Sequence, residues 1–427
     1  MDGLNDGGLT RERGRRASVQ IRRPGENVTQ HRPTILQIIP ELDTGGAELA
    51  TVEIADAVTK AGGRALVLSE GGRLAERLAA AGGELIPFPA ATKNPARILW
   101  NARRIRELAV AEGVDLIHAR SRAPAWSALI AARKAHLPFV TTYHGAYGEK
   151  GRIKNWYNGV MARADVVIAN SDYTAGLIRA RYATPNERLV VIQRGVDGAR
   201  FDPAAIAPER VAALRRSWGV EPAQRVILHA ARITGWKGQS TVIAAAAILA
   251  GRAAGSEAVP DWVVVFAGDH QGRAEYKSRL VEQARAAGIA DRIRFAGHVD
   301  DMPAAFRAAH VAVVASTEPE AFGRAATEAQ VMACPVIATR LGAPQETVLA
   351  TPAVAAGQRT GWLVPPGDGA ALADALAETM ALPAPDREVL GARARAHVLD
   401  RFSLAQMKSQ TLAVYDRLLG TRLAGDA

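Results

Sequence analysis

The sequence predicts an α/β protein built from two doubly wound, Rossmann-like domains facing a central cleft, and three observations carry that prediction. Apolar runs of strand length alternate with Ala-rich helical segments, the rhythm of βαβ units on a parallel sheet. The rhythm stops at "RGVDGARFDPAAIAPER" (194–210), a Pro-containing and strand-poor stretch, and then starts again. A chain of 427 residues also exceeds what one hydrophobic core usually supports, so two cores of ordinary size are expected.

Taken in order, the first series of strands reads "TILQIIP", "RALVLS", "GELIPF", "VDLIHA", "FVTTY", "DVVIAN" and "RLVVIQ". The second reads "RVILHAA", "WVVVFAG", "IRFAGHV", "HVAVVAS", "PVIATR" and "GWLVPPG". Residues 1–32, with seven arginines against four acids, are expected to form a basic, disordered tail. The domains then fall at 33–200 and 201–400. Residues 401–427 hold "LAQMKSQTLAVYDRLLG", whose helical spacing predicts a C-terminal helix packing back on the first domain. Doubly wound sheets bind ligands where the carboxyl ends of strands meet helix starts, so function is expected in the cleft.

The composition, 48% hydrophobic and 22% charged, is that of a soluble globular protein. The single Cys334 excludes an internal disulfide and a cysteine-built metal cluster, and it fits a reducing compartment. The opening "MDGLNDGGLTRERGRR" lacks the apolar core of a secretory signal, and the longest apolar stretch, "VIAAAAILA" (242–250), is too short to span a bilayer. A cytoplasmic protein is expected. The net charge of +10 fits nucleic acid, an anionic membrane surface or phosphorylated small molecules. With no nucleic-acid module signature and aromatics at 5%, nucleic acid is the weakest of these.

Several motifs follow strands. Gly45 and Gly46 in "ELDTGGAELA" leave backbone N–H groups open to an anion at the next helix start, or form an ordinary glycine turn. Arg232 and Lys237 in "AARITGWKGQS" place two cations on one strand-to-helix loop, which suits a diphosphate but equally describes surface charge. Neither a P-loop nor a dinucleotide G-x-G-x-x-G fingerprint follows a strand. In "STEPEAFGRAATEA", Glu320 falls on a loop and Glu328 about one turn into a helix starting near Gly323 or Arg324. Nothing there requires the flanking carboxylate pair of a hydrolase. Each glutamate is instead a bidentate acceptor for sugar hydroxyls, or simple helix-start decoration. His118 and His144 end strands, followed by Arg120, Arg122 and Gly145, and point to substrate contact in the cleft or to structural roles. No D-x-D sequence occurs, so no carboxylate-held metal is indicated and no cofactor is expected.

In sequence, "GGAE", "YHG", "ARITGWKG", "AGD", "AGHV", "EPEAFGRAATEA" and "PVIATRLGAPQE" resemble the retaining GT-B-fold glycosyltransferases with an E-x7-E pair, glycosyltransferase family 4. The likeness covers roughly residues 34–415. It implies that Arg232 and Lys237 contact the diphosphate of a nucleotide-sugar donor. Glu320 would reach the transferred sugar and Glu328 the ribose. Gly297, His298 and Val299 would form the base-binding loop. Amides near Phe322, Gly323 and Arg324 would complete the donor contacts, with Gly46 as the anion-loop glycine and His144 beside the sugar. The first domain would take the acceptor, with His118, Arg120 and Arg122 facing it.

"ARSRAPAW" and "TTYHGAYG" are similar to bacterial lipopolysaccharide-core mannosyltransferases, which implies GDP-mannose, a lipid-linked glycan acceptor and a basic surface resting on the inner leaflet of the plasma membrane. Two departures from the family pattern are Arg194, where Asn is frequent, and His270, where Gly is frequent. The rival expectations are a glycosyltransferase using a UDP-sugar, a sugar-nucleotide epimerase, a phosphorylase, and a non-enzymatic nucleotide-sugar sensor.

Overall fold

The computed structural model describes residues 32–425 apart from Thr44, 146–150 and 254–259. All of the predicted tail except Arg32 therefore lies outside the described residues.

Each apolar run forms a parallel strand. The first sheet contains β1 (Thr34–Ile38), β2 (Arg64–Ser69), β3 (Glu84–Pro87), β4 (Leu116–Ala119), β5 (Phe139–Tyr143), β6 (Val166–Ala169) and β7 (Leu189–Val191). The second contains β8 (Arg225–Ala230), β9 (Trp262–Ala267), β10 (Ile293–Gly297), β11 (Val311–Val314), β12 (Val336–Thr339) and β13 (Trp362–Val364). The strand orders are β3-β2-β1-β4-β5-β6-β7 and β10-β9-β8-β11-β12-β13. Every pairing is parallel, with Leu36 opposite Leu66 and Ile117, and Leu228 opposite Val265 and Ala312. Central strands are buried on both faces, which is why they read as continuous apolar runs without alternation.

Both orders reverse beside their first strand, at β1/β4 and β8/β11. A crevice opens at such a switch point because the flanking connections cross to opposite faces of the sheet. The loops leaving β1 and β8 carry Gly45–Gly46 and Arg232–Lys237, so the two candidate anion loops come from equivalent places in two similar domains.

The stretch read as a linker is firmly held. Val196 N–H donates to the Phe402 carbonyl at 2.8 Å, Leu404 N–H donates to the Val196 carbonyl at 2.9 Å, and Phe201 is packed in the second domain's core. Helix Ala384–Arg401 packs on the second domain against helix Arg324–Val331. The chain then crosses back at Phe402–Ser403, where Ser403 caps helix Leu404–Leu419. Met407, Leu412, Val414 and Tyr415 of that C-terminal helix join the core of the first domain. Lys408 Nζ reaches Asp56 Oδ2 at 2.5 Å across the same seam.

Candidate active site

A cavity of about 550 Å³ lies between the carboxyl edges of the two sheets, lined by Gly45, Gly46, Glu48, His144 and Arg194 from the first domain. Arg232, Trp236, Lys237, Ser316, Glu320, the Phe322–Arg324 turn and Glu328 line it from the second. A smaller space of about 210 Å³ beside it is bounded by Glu41, Glu48, Arg120, Ser121 and His144.

On the second domain the loop after β8 is built around a short 3₁₀ turn, Gly235–Lys237. Gly238 follows with φ +76°, and a Cβ there would lie 1.9 Å from the Ala315 carbonyl, so the turn needs glycine on both counts. His229, at the end of β8, holds the Lys237 carbonyl at 2.9 Å through Nε2. Burial drives the His229 pKa down to about 4, so the ring is neutral and Nε2–H is the donor. Lys237 thereby projects into the cavity over Trp236, with Nζ 4.2 Å from the indole centroid, and pairs with Glu320 Oε1. Ser316 Oγ donates to the same carboxylate oxygen at 2.5 Å. Glu320 is pinned by its backbone as well: Ala343 N–H donates to its carbonyl at 3.0 Å.

Helix Arg324–Val331 begins after Gly323, whose φ of +83° turns the chain into the helix. Phe322 is 3% exposed and packs edge-on against Phe402, so only its backbone is available to a ligand. Glu328 Oε1 receives Arg324 Nη2 at 3.0 Å and Nε at 3.2 Å. The two glutamates of the E-x7-E pair thus each hold a different cation, and nothing joins them across a single bond.

On the first domain, Arg194 donates to the Gly46 carbonyl and to His144 Nδ1. The two domains also touch directly. Glu346, on the second domain, accepts from the amides of Asp172 at 2.9 Å and Tyr173 at 2.5 Å, capping a first-domain helix start. Among the described residues, no group of three or more His, Cys, Asp or Glu side chains is placed to hold a metal ion.

Two expectations are corrected, and a third set of residues lies off the cavity. His118 does not face the cleft: its ring is fully buried, 2.7 Å from the Tyr415 hydroxyl through Nδ1 and 2.8 Å from Thr142 Oγ1 through Nε2. It ends β4 in sequence, but the C-terminal helix covers it. Arg122 turns aside as well, donating to Asn158 Oδ1 at 2.6 Å, because it already belongs to helix Arg122–Ala135. Gly297 ends the edge strand β10, and His298 and Val299 follow it, outside the residues that line the cavity. There His298 pairs with Asp300 at 2.9 Å while Val299 packs on the core. Arg120 does reach the cleft, bounding the smaller space. Residues the sequence reading left without a role are Glu48, His229, Trp236 and Ser316. Glu48 stands in the quoted "GGAE", while His229 carried no signal beyond ending a strand.

Two facing parallel-sheet Rossmann-like domains with a cavity between them, lined by both arginine or lysine and glutamate side chains, define the GT-B class of fold. Residues 44–200 match "Glycosyltransferase Family 4" and residues 211–397 match "Glycosyl transferases group 1". The lipopolysaccharide core biosynthesis mannosyltransferase LpsB of Rhizobium meliloti is 31% identical over 273 residues, 63% of this chain and 70% of LpsB. The chain belongs to glycosyltransferase family 4. It is 34% identical over 244 residues to the D-inositol 3-phosphate glycosyltransferase of Salinispora tropica, 53% of this chain, and spans 50% of that relative's length. A crystal structure of a glycosyltransferase from Rickettsia africae superposes with a TM-score of 0.81 at 31% identity, covering 91% of this chain and 99% of that one. Anabaena HepE, solved in complex with UDP-glucose, gives a TM-score of 0.76 at 25% identity over 90% of this chain and 100% of HepE.

Proposed function

We propose that the protein is a retaining, metal-independent hexosyltransferase that moves mannose from GDP-mannose to a lipid-linked glycan of the lipopolysaccharide core type. The observation that carries the reading is the pairing of Lys237 and Glu320 beside Arg232 and the Arg324 helix start, all on one cavity wall. A departing nucleoside diphosphate gains negative charge as the bond to the sugar breaks. Fixed cations and helix N–H groups stabilise that charge without reorganising. Arg232 and Lys237 meet the diphosphate, Glu320 holds the sugar and Glu328 the ribose. In a front-face displacement the acceptor oxygen bonds to the anomeric carbon as the phosphate oxygen leaves, and the acceptor's proton passes to that leaving oxygen. Mannose is supported by the likeness to LpsB. A UDP-sugar is the second reading, supported by the likeness to HepE solved with UDP-glucose.

The test is a thermal-shift panel of nucleotide sugars, because a ligand that binds the folded state raises apparent stability by mass action. GDP-mannose should give the largest shift, and a larger response to a UDP-sugar would overturn the donor assignment.

The reading extends to the inner face of the plasma membrane. No helix among the described residues is long and apolar enough to cross a membrane. Helix Pro95–Ala111, however, leaves Leu99 60%, Trp100 51% and Val110 71% exposed. Arg97, Arg103, Arg104 and Arg106 flank them, with Glu107 as the helix's one acid, paired to Arg103. Leu99 and Val110 share a face with Arg103 and Arg106 between them, and Arg104 lies over the Trp100 ring, so apolar side chains interspersed with arginines meet an anionic bilayer surface. Sedimentation with phosphatidylcholine vesicles containing phosphatidylglycerol should show binding that Leu99→Glu, Trp100→Glu abolishes. Equal binding by this variant would sink the assignment of that face.

A further inference from the structure

We infer that Arg194 is a positioning residue that fixes the tautomer of His144, making the imidazole an obligate hydrogen-bond donor to an oxygen of the bound sugar or phosphate. Arg194 leaves the chain just after β7 and is 5% exposed. Its Nη1 donates to the Gly46 carbonyl and its Nη2 to His144 Nδ1, so one guanidinium ties the anion loop after β1 to the histidine after β5. Gly46 makes room for it: a Cβ at that position would lie 2.3 Å from Nη1.

A guanidinium has five N–H donors and no acceptor, so the His144 Nδ1 it meets must present its lone pair. A neutral imidazole in that state carries its single proton on Nε2. His144 Nε2 is buried and has no hydrogen-bond partner among the described residues, and the residue lines both the main cavity and the smaller space beside it. The partner assigned to that N–H is an oxygen of the bound ligand. Burial, with the positive charges of Arg194 and Arg120, lowers the His144 pKa well below its ordinary value, so the ring stays neutral.

Burial and the neighbouring Arg324 and Arg120 disfavour the Arg194 charge, while Glu53, 5% exposed on helix Gly46–Lys60, and Glu48 favour it. Burial lowers the Arg194 pKa only to about 9, so it remains protonated and remains a donor at neutral pH. An asparagine in its place has an amide that accepts as well as donates, and it leaves the histidine free to choose either tautomer.

The tautomer follows from geometry alone, while its use by a ligand rests on the glycosyl-transfer reading, and the experiment separates the two. Long-range ¹H–¹⁵N spectra of histidine-labelled protein, with His144 assigned by its loss in His144→Phe, should show Nδ1 unprotonated and Nε2 protonated near neutral pH. Arg194→Met should shift His144 to mixed tautomers, and Arg194→Lys, which keeps a donor, should restore the wild-type pattern. Should Arg194→Met fail to fold, Arg194→Gln replaces it and should also give mixed tautomers. With the nucleotide sugar that gives the largest thermal shift, kcat/KM should fall about tenfold or more in Arg194→Met, the worth of one hydrogen bond to a ligand. A protonated Nδ1 in the wild type, or an unchanged pattern in Arg194→Met, would overturn the assignment. A changed tautomer with unchanged kcat/KM would show that His144 serves no ligand.

Discussion

Tyr415→Phe removes a single hydroxyl where the C-terminal helix meets the first sheet, and the structure sets the size of the effect. The hydroxyl lies 2.7 Å from His118 Nδ1, whose Nε2 lies 2.8 Å from Thr142 Oγ1. His118 and Tyr415 are both 0% exposed, so water does not replace the missing partner. Burial holds the His118 pKa well below its ordinary value, and the neutral ring needs a partner on each nitrogen. Orphaning one of them costs about 1–3 kcal/mol. At roughly 2–4 °C per kcal/mol for a domain of this size, the melting temperature should fall by about 2–12 °C. Scanning calorimetry measures the fall, and steady-state kinetics on the same protein should find the acceptor KM unchanged. An unchanged melting temperature with a raised acceptor KM would refute the reasoning and return His118 to the acceptor site.

Lys237→Met removes the fixed cation beside Glu320 and should lower kcat by about 10²–10³, with the loss in kcat exceeding any rise in donor KM. Glu328→Ala should chiefly weaken donor binding, by about tenfold or more, whereas Glu320→Ala should chiefly slow transfer. Calorimetric titration of donor into each variant separates these, and intact donor affinity in both would show the division of labour to be wrong. Stability should also fall on the acid side. The folded-state pKa of His229 is depressed to about 4 from an ordinary 6.5, so the unfolded chain binds the extra proton between those values. The contribution of His229 is full above pH 6.5 and is lost as pH falls toward 4, roughly 3 kcal/mol in all. Denaturation midpoints measured across that window should decline, and His229→Asn should flatten the decline.

Much of the fold was legible because strands buried on both faces announce themselves as unbroken apolar runs, such as "WVVVFA" for β9. The loops after β1 and β8 were legible for a related reason, since Gly46 and Gly238 stand where a Cβ would collide with neighbouring atoms. His118 was misjudged because ending a strand says nothing about what covers that end. Here the cover is Tyr415, almost three hundred residues later. Gly297–Val299 fell outside the cavity because strand order, which local sequence does not carry, puts β10 at the sheet edge.

By itself the sequence determined the alternation of strand and helix, the two domains, the glycine turns and the residues offered to the cleft, because these depend on neighbours within a few positions of one another. Only the tertiary structure decided which of those residues meet. Lys237 finds Glu320, Arg324 finds Glu328, and Arg194 finds both Gly46 and His144. Such pairings follow from strand order and from the crossing at Phe402–Ser403 that carries the C-terminal helix back to the first domain. Both are long-range choices, set by which apolar faces bury each other and written at no single position of the chain.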